Sequence, residues 1–382
     1  MKKVLYFIQE YGHPGGHMFS LEHTVKALSK VLQPGVFVLG KPFDGTSKLD
    51  CYLGSAPIAC KSYDKVKKCI ERFSPDIIHC FDIGSYVFVS LFFSRKAKII
   101  FTKCGGPNPK TGWMIPYAPN VILYSEENME YFTRKYPCIK FFLLPNRVYV
   151  DSLSERPAYS YPKECAINVC QIIRLSESKE KSIFSSLQLI SELRCQGVDV
   201  HFTLVGTINS KESYKKVLNV ISEHNISACV TLITDERTNH GSSFLEGADF
   251  VIATGRSLME ACSLGKAVLS PVEDLGIPVL LRSENFQKLY DTNFSGRGGA
   301  VSTNEVELEI IVKAMTDSQY KENISTFNKN QAEKYFLITD RVIEKYKKIY
   351  SCLKPVSRLL MLLRNSYIYL YYILVIWRKK RP

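Results

Sequence analysis

The chain has 382 residues, 46% of them hydrophobic and 23% charged, which is enough apolar material for a large core and a length that favours more than one domain. That balance excludes a collagen, a coiled coil and a wholly disordered chain. Lys and Arg number 50 against 37 Asp and Glu. The excess of +13 is uneven: residues 1–150 hold 20 basic and 11 acidic side chains, 151–340 hold 19 and 25, and 341–382 hold 11 and 1. A basic first part and a basic tail around an acidic middle argue against a nucleic-acid partner and for an anionic membrane surface. The twelve cysteines include no Cys-x-x-Cys pair and no Cys/His spacing suited to zinc, the pattern of reduced thiols in a cytoplasmic protein.

No signal peptide is expected, because the first apolar run, 4–8, is five residues long and turns into a Gly/His/Pro loop at 12–17. Apolar runs at 4–8, 36–39, 77–80, 99–102, 121–124 and 141–144 alternate with stretches of helical length, as parallel strands with crossover helices do. A second series comes next at 166–173, 200–205, 230–233, 250–253 and 267–270, with helices expected over 183–195 and 213–224. Residues 151–163, rich in Ser and Pro, read as the linker. Two doubly wound α/β domains result, expected over 1–152 and 164–318. Helices over 319–352 are expected to pack back on the first domain, and 353–382 to form a membrane-associating tail. Within that tail, 359–377 is broken only by Arg364, Asn365 and Ser366. It reads as an amphipathic interfacial anchor, with Tyr367, Tyr369, Tyr371, Tyr372 and Trp377 at headgroup depth and 378–381 on phosphates; a short span and a helix packed on the body are the alternatives.

Three constellations have the chemistry of a phosphate site. Gly15 and Gly16 come after the first strand and let backbone amides approach an anion at a helix N-terminus. The spacing is not that of a dinucleotide fingerprint, which counts against a nicotinamide-dependent oxidoreductase. His13 and His17 lack a third ligand, so no metal site is expected. In the second domain Arg174 and Lys179 leave a strand at the carboxyl edge of a parallel sheet, where two cations neutralise a diphosphate leaving group. Further on, Gly255, Arg256, Ser257, Leu258 and Met259 form a strand-to-helix turn with amides for a phosphate, and Glu260 is spaced to accept from ribose hydroxyls. Ser257 and Glu260 also have the spacing of a capping box, which needs no ligand.

In this order the segments resemble the retaining GT-B glycosyltransferases of family 4. The resemblance rests on Gly15-Gly16, Pro75-Asp76-Ile77-Ile78-His79, Pro145-Asn146-Arg147, Arg174 to Lys179, Val205-Gly206, Leu258-Met259-Glu260-Ala261 and Gly265-Lys266-Ala267-Val268. It covers about residues 1–350 and implies two Rossmann-like domains facing a cleft, to which the basic amphipathic tail read above is added, and transfer of a sugar from a UDP- or GDP-sugar to a hydroxyl of a lipid-linked or cell-surface saccharide. Arg174, Lys179 and Glu260 would be catalytic. Gly15, Gly16, Gly206, Gly255, Arg256, Ser257, Leu258 and Met259 would bind the donor, and His79, Asp82 and Asn146 would lie on the acceptor side. No metal or other cofactor is implied, and the enzyme would work at the cytoplasmic face of the membrane. Two departures stand out. Ile252 occupies the place of a sugar-supporting Glu and Phe81 that of a second His, which keeps a non-catalytic scaffold and a sugar-nucleotide epimerase as alternatives.

Overall fold

The computed structural model describes residues 1–9, 16–40, 42, 49–58, 62–110, 112, 115–149, 159–162, 167–355 and 357–379, with backbone alone at 372 and 375–379. It divides into two compact units, Met1–Asn146 with Ile338–Pro382, and Arg147–Leu337.

In the first unit the described elements run β1 (Lys3–Ile8), α1 (Gly16–Leu28), β2 (Gln33–Val38), β3 (Tyr52–Ser55), α2 (Tyr63–Phe73), β4 (Ile77–Cys80), α3 (Ile83–Phe93), β5 (Lys98–Lys103), β6 (Asn120–Leu123), α4 (Glu126–Lys135) and β7 (Lys140–Leu143). The strands form one parallel sheet in the order β3-β2-β1-β4-β5-β6-β7, so the direction of winding reverses between β1 and β4. Both faces are covered, and β1 shows how: Val4, Tyr6 and Ile8 pack with α1, while Leu5 and Phe7 pack on the other side with α2, α3 and α4. A strand buried on both faces reads as one unbroken apolar run, which is why it was legible.

The second unit contains β8 (Ile167–Ile172), α5 (Glu180–Cys195), β9 (Val200–Val205), α6 (Lys211–Glu223), β10 (Val230–Ile233), β11 (Phe250–Ile252), α7 (Arg256–Ser263), β12 (Ala267–Ser270), β13 (Val279–Leu280), α8 (Ser283–Asp291), α9 (Asn304–Thr316) and α10 (Ser318–Gln331). Its sheet is ordered β10-β9-β8-β11-β12-β13, parallel except for the β12–β13 pair. The winding reverses between β8 and β11, which pair directly from Val169–Phe250 to Gln171–Ile252. Strands β3 and β13 were not expected; one contains a glycine and the other has two residues, so neither offers a run long enough to read.

The chain returns to the first unit at Ile338. This corrects the expectation for 319–337, since α10 buries Ile324 and Asn328 within the second unit, where Asn328 Nδ2 donates to Lys266 O at 3.1 Å. Helix α11 (Asp340–Ser351) then places Val342, Ile343, Tyr346 and Tyr350 on the face of the first sheet that α1 covers.

Helix α12 (Arg358–Lys379) closes the chain. Its place is set by α3, whose sequence Ile-Gly-Ser-Tyr-Val-Phe-Val-Ser-Leu-Phe-Phe is apolar all round and therefore needs cover on the side away from the sheet. Met361, Asn365, Ile368 and Tyr369 supply one buried face, with the Tyr369 ring 5.6 Å from Phe92 and 6.2 Å from Phe88. Asn365 Oδ1 accepts from Tyr117 N at 2.8 Å and its Nδ2 donates to Ser90 Oγ at 2.9 Å. Arg364 donates to the carbonyls of Ile115 and Gly112. One part of the expectation for the tail is corrected: Tyr369 is a packing residue and not a headgroup contact, while Arg364 and Asn365 lock the helix onto the unit. Among the described residues no helix is long and apolar enough to cross a membrane. Opposite the lock, Leu359, Leu363 and Leu370 are 68%, 70% and 62% exposed, and Leu360, Tyr367, Tyr371 and Leu374 are exposed beside them.

Candidate active site

In the second unit, β8 carries its register past its last ladder residue. Ile173 N donates to Val205 O and Leu175 N to Thr207 O, both at 2.9 Å, and both side chains are buried. The intervening Arg174 therefore points the other way and is exposed. A short turn, Glu177–Lys179, opens α5 and leaves Lys179 half-buried. Burial lowers the Lys179 pKa, and the Arg174 and Arg297 guanidinium charges lower it further. Three cations thus meet at the carboxyl end of β8. Arg297 was missed in the sequence because its neighbours are brought there by long-range bonds: Gly296 O accepts from Glu273 N at 3.0 Å, and Glu273 O accepts from Lys181 Nζ.

The next strand, β11, ends beside the same point. Only Ala253, Thr254 and Gly255 connect it to α7. Gly255 has φ 57° and ψ −121°, a conformation that favours glycine, and its amide donates to Phe294 O at 2.8 Å. The amides of Arg256, Ser257 and Leu258 lie in the first turn, without an intrahelical acceptor. Met259 is corrected: its amide is used by Gly255 O at 3.3 Å and its side chain is in the core. The leading end of α7 and the cations beside β8 are therefore neighbours at the reversal of winding, where open parallel sheets bind ligands.

Several expected roles differ in the folded chain. The capping box does not form, because Gly255 holds the cap position and Ser257 Oγ donates to Thr254 O at 3.1 Å. Arg256 turns inward, and its Nε donates to Glu260 Oε1 at 2.8 Å with both side chains nearly buried. Glu260 is thus first of all the counter-charge of Arg256. Glu260→Gln keeps an acceptor but removes the charge, and is expected to cost about 2 kcal/mol of stability; a thermal melt of the variant checks it. Gly206 is explained by packing, since a Cβ there would lie 1.7 Å from Ile173 O. Ile252 is buried within β11 between Gln171 and Leu269, so the short connection has no position there for a carboxylate.

In the first unit, α1 starts at Gly16, which is exposed; Gly15 and His13 lie outside the described residues. Asp82 caps α3, accepting Ser85 N on Oδ1 at 2.7 Å and Gln9 N on Oδ2 at 2.5 Å. Burial raises its pKa and these bonds oppose the rise. Asn146 Oδ1 accepts from Ser20 Oγ at 2.8 Å, tying it to α1. His79 is corrected from an acceptor-side group to a core residue. It is fully buried on β4, Nδ1 lies 2.8 Å from Tyr350 Oη and Nε2 2.6 Å from Thr102 Oγ1.

Burial pushes the His79 pKa down to about 3 from an ordinary value of 6.5. The unfolded chain then binds the proton first as pH falls, so this group is neutral in its effect above pH 6.5 and destabilises below it. Lowering the pH from 7 to 5 is expected to cost about 2 kcal/mol through His79 alone. Parallel denaturant titrations of wild type and His79→Gln at both pH values check it, the variant losing less.

No family model matches the chain, and no curated protein matches it. The fold does match solved structures. HepE from Anabaena, in complex with UDP and glucose, superposes with a TM-score of 0.66 at 16% identity, covering 92% of this chain and 100% of that one. A variant of S. aureus TarM, in complex with fondaparinux, alpha-GlcNAc-glycerol and UDP, gives 0.63 at 12% identity, with 92% and 100% covered. A UDP-N-acetylglucosamine 2-epimerase gives 0.54 at 14% identity, with 85% and 90% covered. The fold is thus that of two Rossmann-like α/β units, as in GT-B proteins.

Proposed function

We propose that the protein is a glycosyltransferase that takes a sugar from a nucleotide-diphosphate sugar and passes it to a hydroxyl of a lipid-linked or cell-surface saccharide, with retention and without a metal. One observation carries the reading: Arg174, Lys179 and the open first turn of α7 converge at the reversal of winding in the second sheet. Cations and helix amides at one point suit a diphosphate whose charge grows as the sugar–phosphate bond breaks. The UDP bound in the HepE and TarM complexes supports UDP as the nucleotide. A thermal-shift panel of UDP, GDP, ADP and CMP tests the donor, since a ligand at a hundred times its Kd adds about 2.7 kcal/mol of stability. Product analysis with UDP-glucose and UDP-N-acetylglucosamine then separates transfer from epimerisation: a C2-inverted sugar nucleotide as sole product would replace this reading with the epimerase.

The body would sit at the cytoplasmic face of the membrane, held by α12. The exposed row of Leu359, Leu363, Leu370 and Leu374 supplies apolar contact, and the basic end of the sequence, Arg378, Lys379, Lys380 and Arg381, supports anionic lipid as its partner.

A further inference from the structure

Between α8 and the glycines at 298 and 299, the chain runs from the first turn of α7 towards the three cations. Helix α8 ends in the usual way, with Asn293 left-handed at φ 56°, Asn293 N on Tyr290 O and Phe294 N on Leu289 O, both at 2.8 Å. The next residue departs from that pattern. Phe294 is left-handed as well, at φ 51°, a region that a bulky side chain rarely enters. Its ring is fully buried and packs against Phe286, Tyr290 and Phe336 at 5.8, 6.0 and 5.4 Å, so the core holds the backbone in this conformation. The result is that Phe294 O meets Gly255 N at 2.8 Å and Gly296 O meets Glu273 N at 3.0 Å. The segment is strapped across the end of the sheet, from α7 to the neighbourhood of Arg297.

On either side of Phe294, two polar atoms are buried without a hydrogen-bond partner, Asn293 Oδ1 and Ser295 Oγ. Buried polar atoms are nearly always satisfied, and backbone strain held by surrounding packing clusters where ligands bind. The α7 connection itself offers little for a sugar, because Arg256 is turned onto Glu260 and Ser257 Oγ is bonded to Thr254 O. We propose that Asn293 and Ser295 are the donor-sugar contacts of this site, Asn293 Oδ1 accepting from one hydroxyl of the transferred sugar and Ser295 Oγ exchanging a hydrogen bond with another, while the cations beside β8 hold the diphosphate. The proposal rests on the donor-site reading above and adds to it the residues that recognise the sugar.

The test is the double variant Asn293→Gly, Ser295→Ala in the full chain; glycine keeps the left-handed conformation that Asn293 has. Calorimetric Kd values are taken for UDP, UDP-glucose, GDP and GDP-mannose. The expected result is a bare-nucleotide Kd within about twofold of wild type and a sugar-nucleotide Kd at least about tenfold weaker, a gap of the size a few hydrogen bonds give. The melting temperature should hold or rise, because an unpartnered buried hydroxyl has been removed. If UDP or GDP binds and the sugar nucleotide weakens no more than the bare one, the proposal falls and the donor site stands. If wild type binds the sugar nucleotide no better than the bare nucleotide, the proposal falls as well. If neither nucleotide binds wild type, the donor site falls and takes the proposal with it.

Discussion

Arg174→Ala and Lys179→Ala are each expected to lower turnover by about 10²-fold or more while leaving the melting temperature unchanged. The loss of turnover is electrostatic in origin. Each guanidinium or ammonium stabilises negative charge that develops on the leaving diphosphate, and an interaction that strengthens in the transition state is lost from kcat as well as from kcat/KM. The unchanged melting temperature follows from the environment of the two groups. Arg174 is exposed, and the Lys179 pKa is lowered by burial and then by the neighbouring guanidinium charges, so removing either charge relieves repulsion and, among the described residues, breaks no ion pair. Steady-state kinetics beside thermal melts decide the matter. Loss of melting temperature with specific activity retained would make both residues structural.

The second large effect concerns α12, where two kinds of change are expected to give opposite results. Truncation after Tyr350 removes the cover from α3, exposes Phe88, strips Phe92 of its contact with Tyr369, and leaves Tyr117 N without Asn365. Met361, Ile368 and Tyr369 together contribute several kcal/mol of burial, a large part of the roughly 5–15 kcal/mol that holds a domain together. The truncated chain should aggregate or melt at much lower temperature. Replacing Leu359, Leu363, Leu370 and Leu374 by Ser leaves the inner face intact and should change the melting temperature little. It should weaken binding to vesicles of anionic phospholipid by at least about 10⁴-fold, given about 1.5–3 kcal/mol for each fully buried leucine. Co-sedimentation at low and high salt reads both components, since screening weakens the basic end and not the apolar face. Equal sedimentation of wild type and the four-serine variant would place any membrane attachment elsewhere.

Much of the fold was legible because strands covered on both faces are written as short apolar runs, and β1, β4, β9 and β12 are such strands. The positions of Arg174 and Gly255 at strand ends were legible for the same reason. Other features were hidden by burial and long-range contact. His79 stands in a recognisable segment, yet only its neighbours Tyr350 and Thr102, 271 and 23 residues away, show that it is a core residue. The four-residue spacing of Arg256 and Glu260 is a helix ion-pair spacing, and it was overlooked in favour of the capping box at three. Asn365 and Arg364 interrupt the apolar tail, and that interruption was itself the signal of a docked helix. Asn293, Ser295 and Arg297 lie in a Gly-rich stretch, with no periodicity to mark them, and the folded chain alone brings them to the site.

A diphosphate held beside β8 is the centre of the proposed chemistry, and calorimetric titration measures it directly. UDP and uridine, with GDP and guanosine as a second pair, are titrated into wild type and into the Arg174→Ala, Lys179→Ala double variant. Wild type is expected to bind the diphosphate at least about 10²-fold more tightly than the nucleoside, and the double variant to lose most of this difference. Equal diphosphate affinity in wild type and the double variant would contradict it.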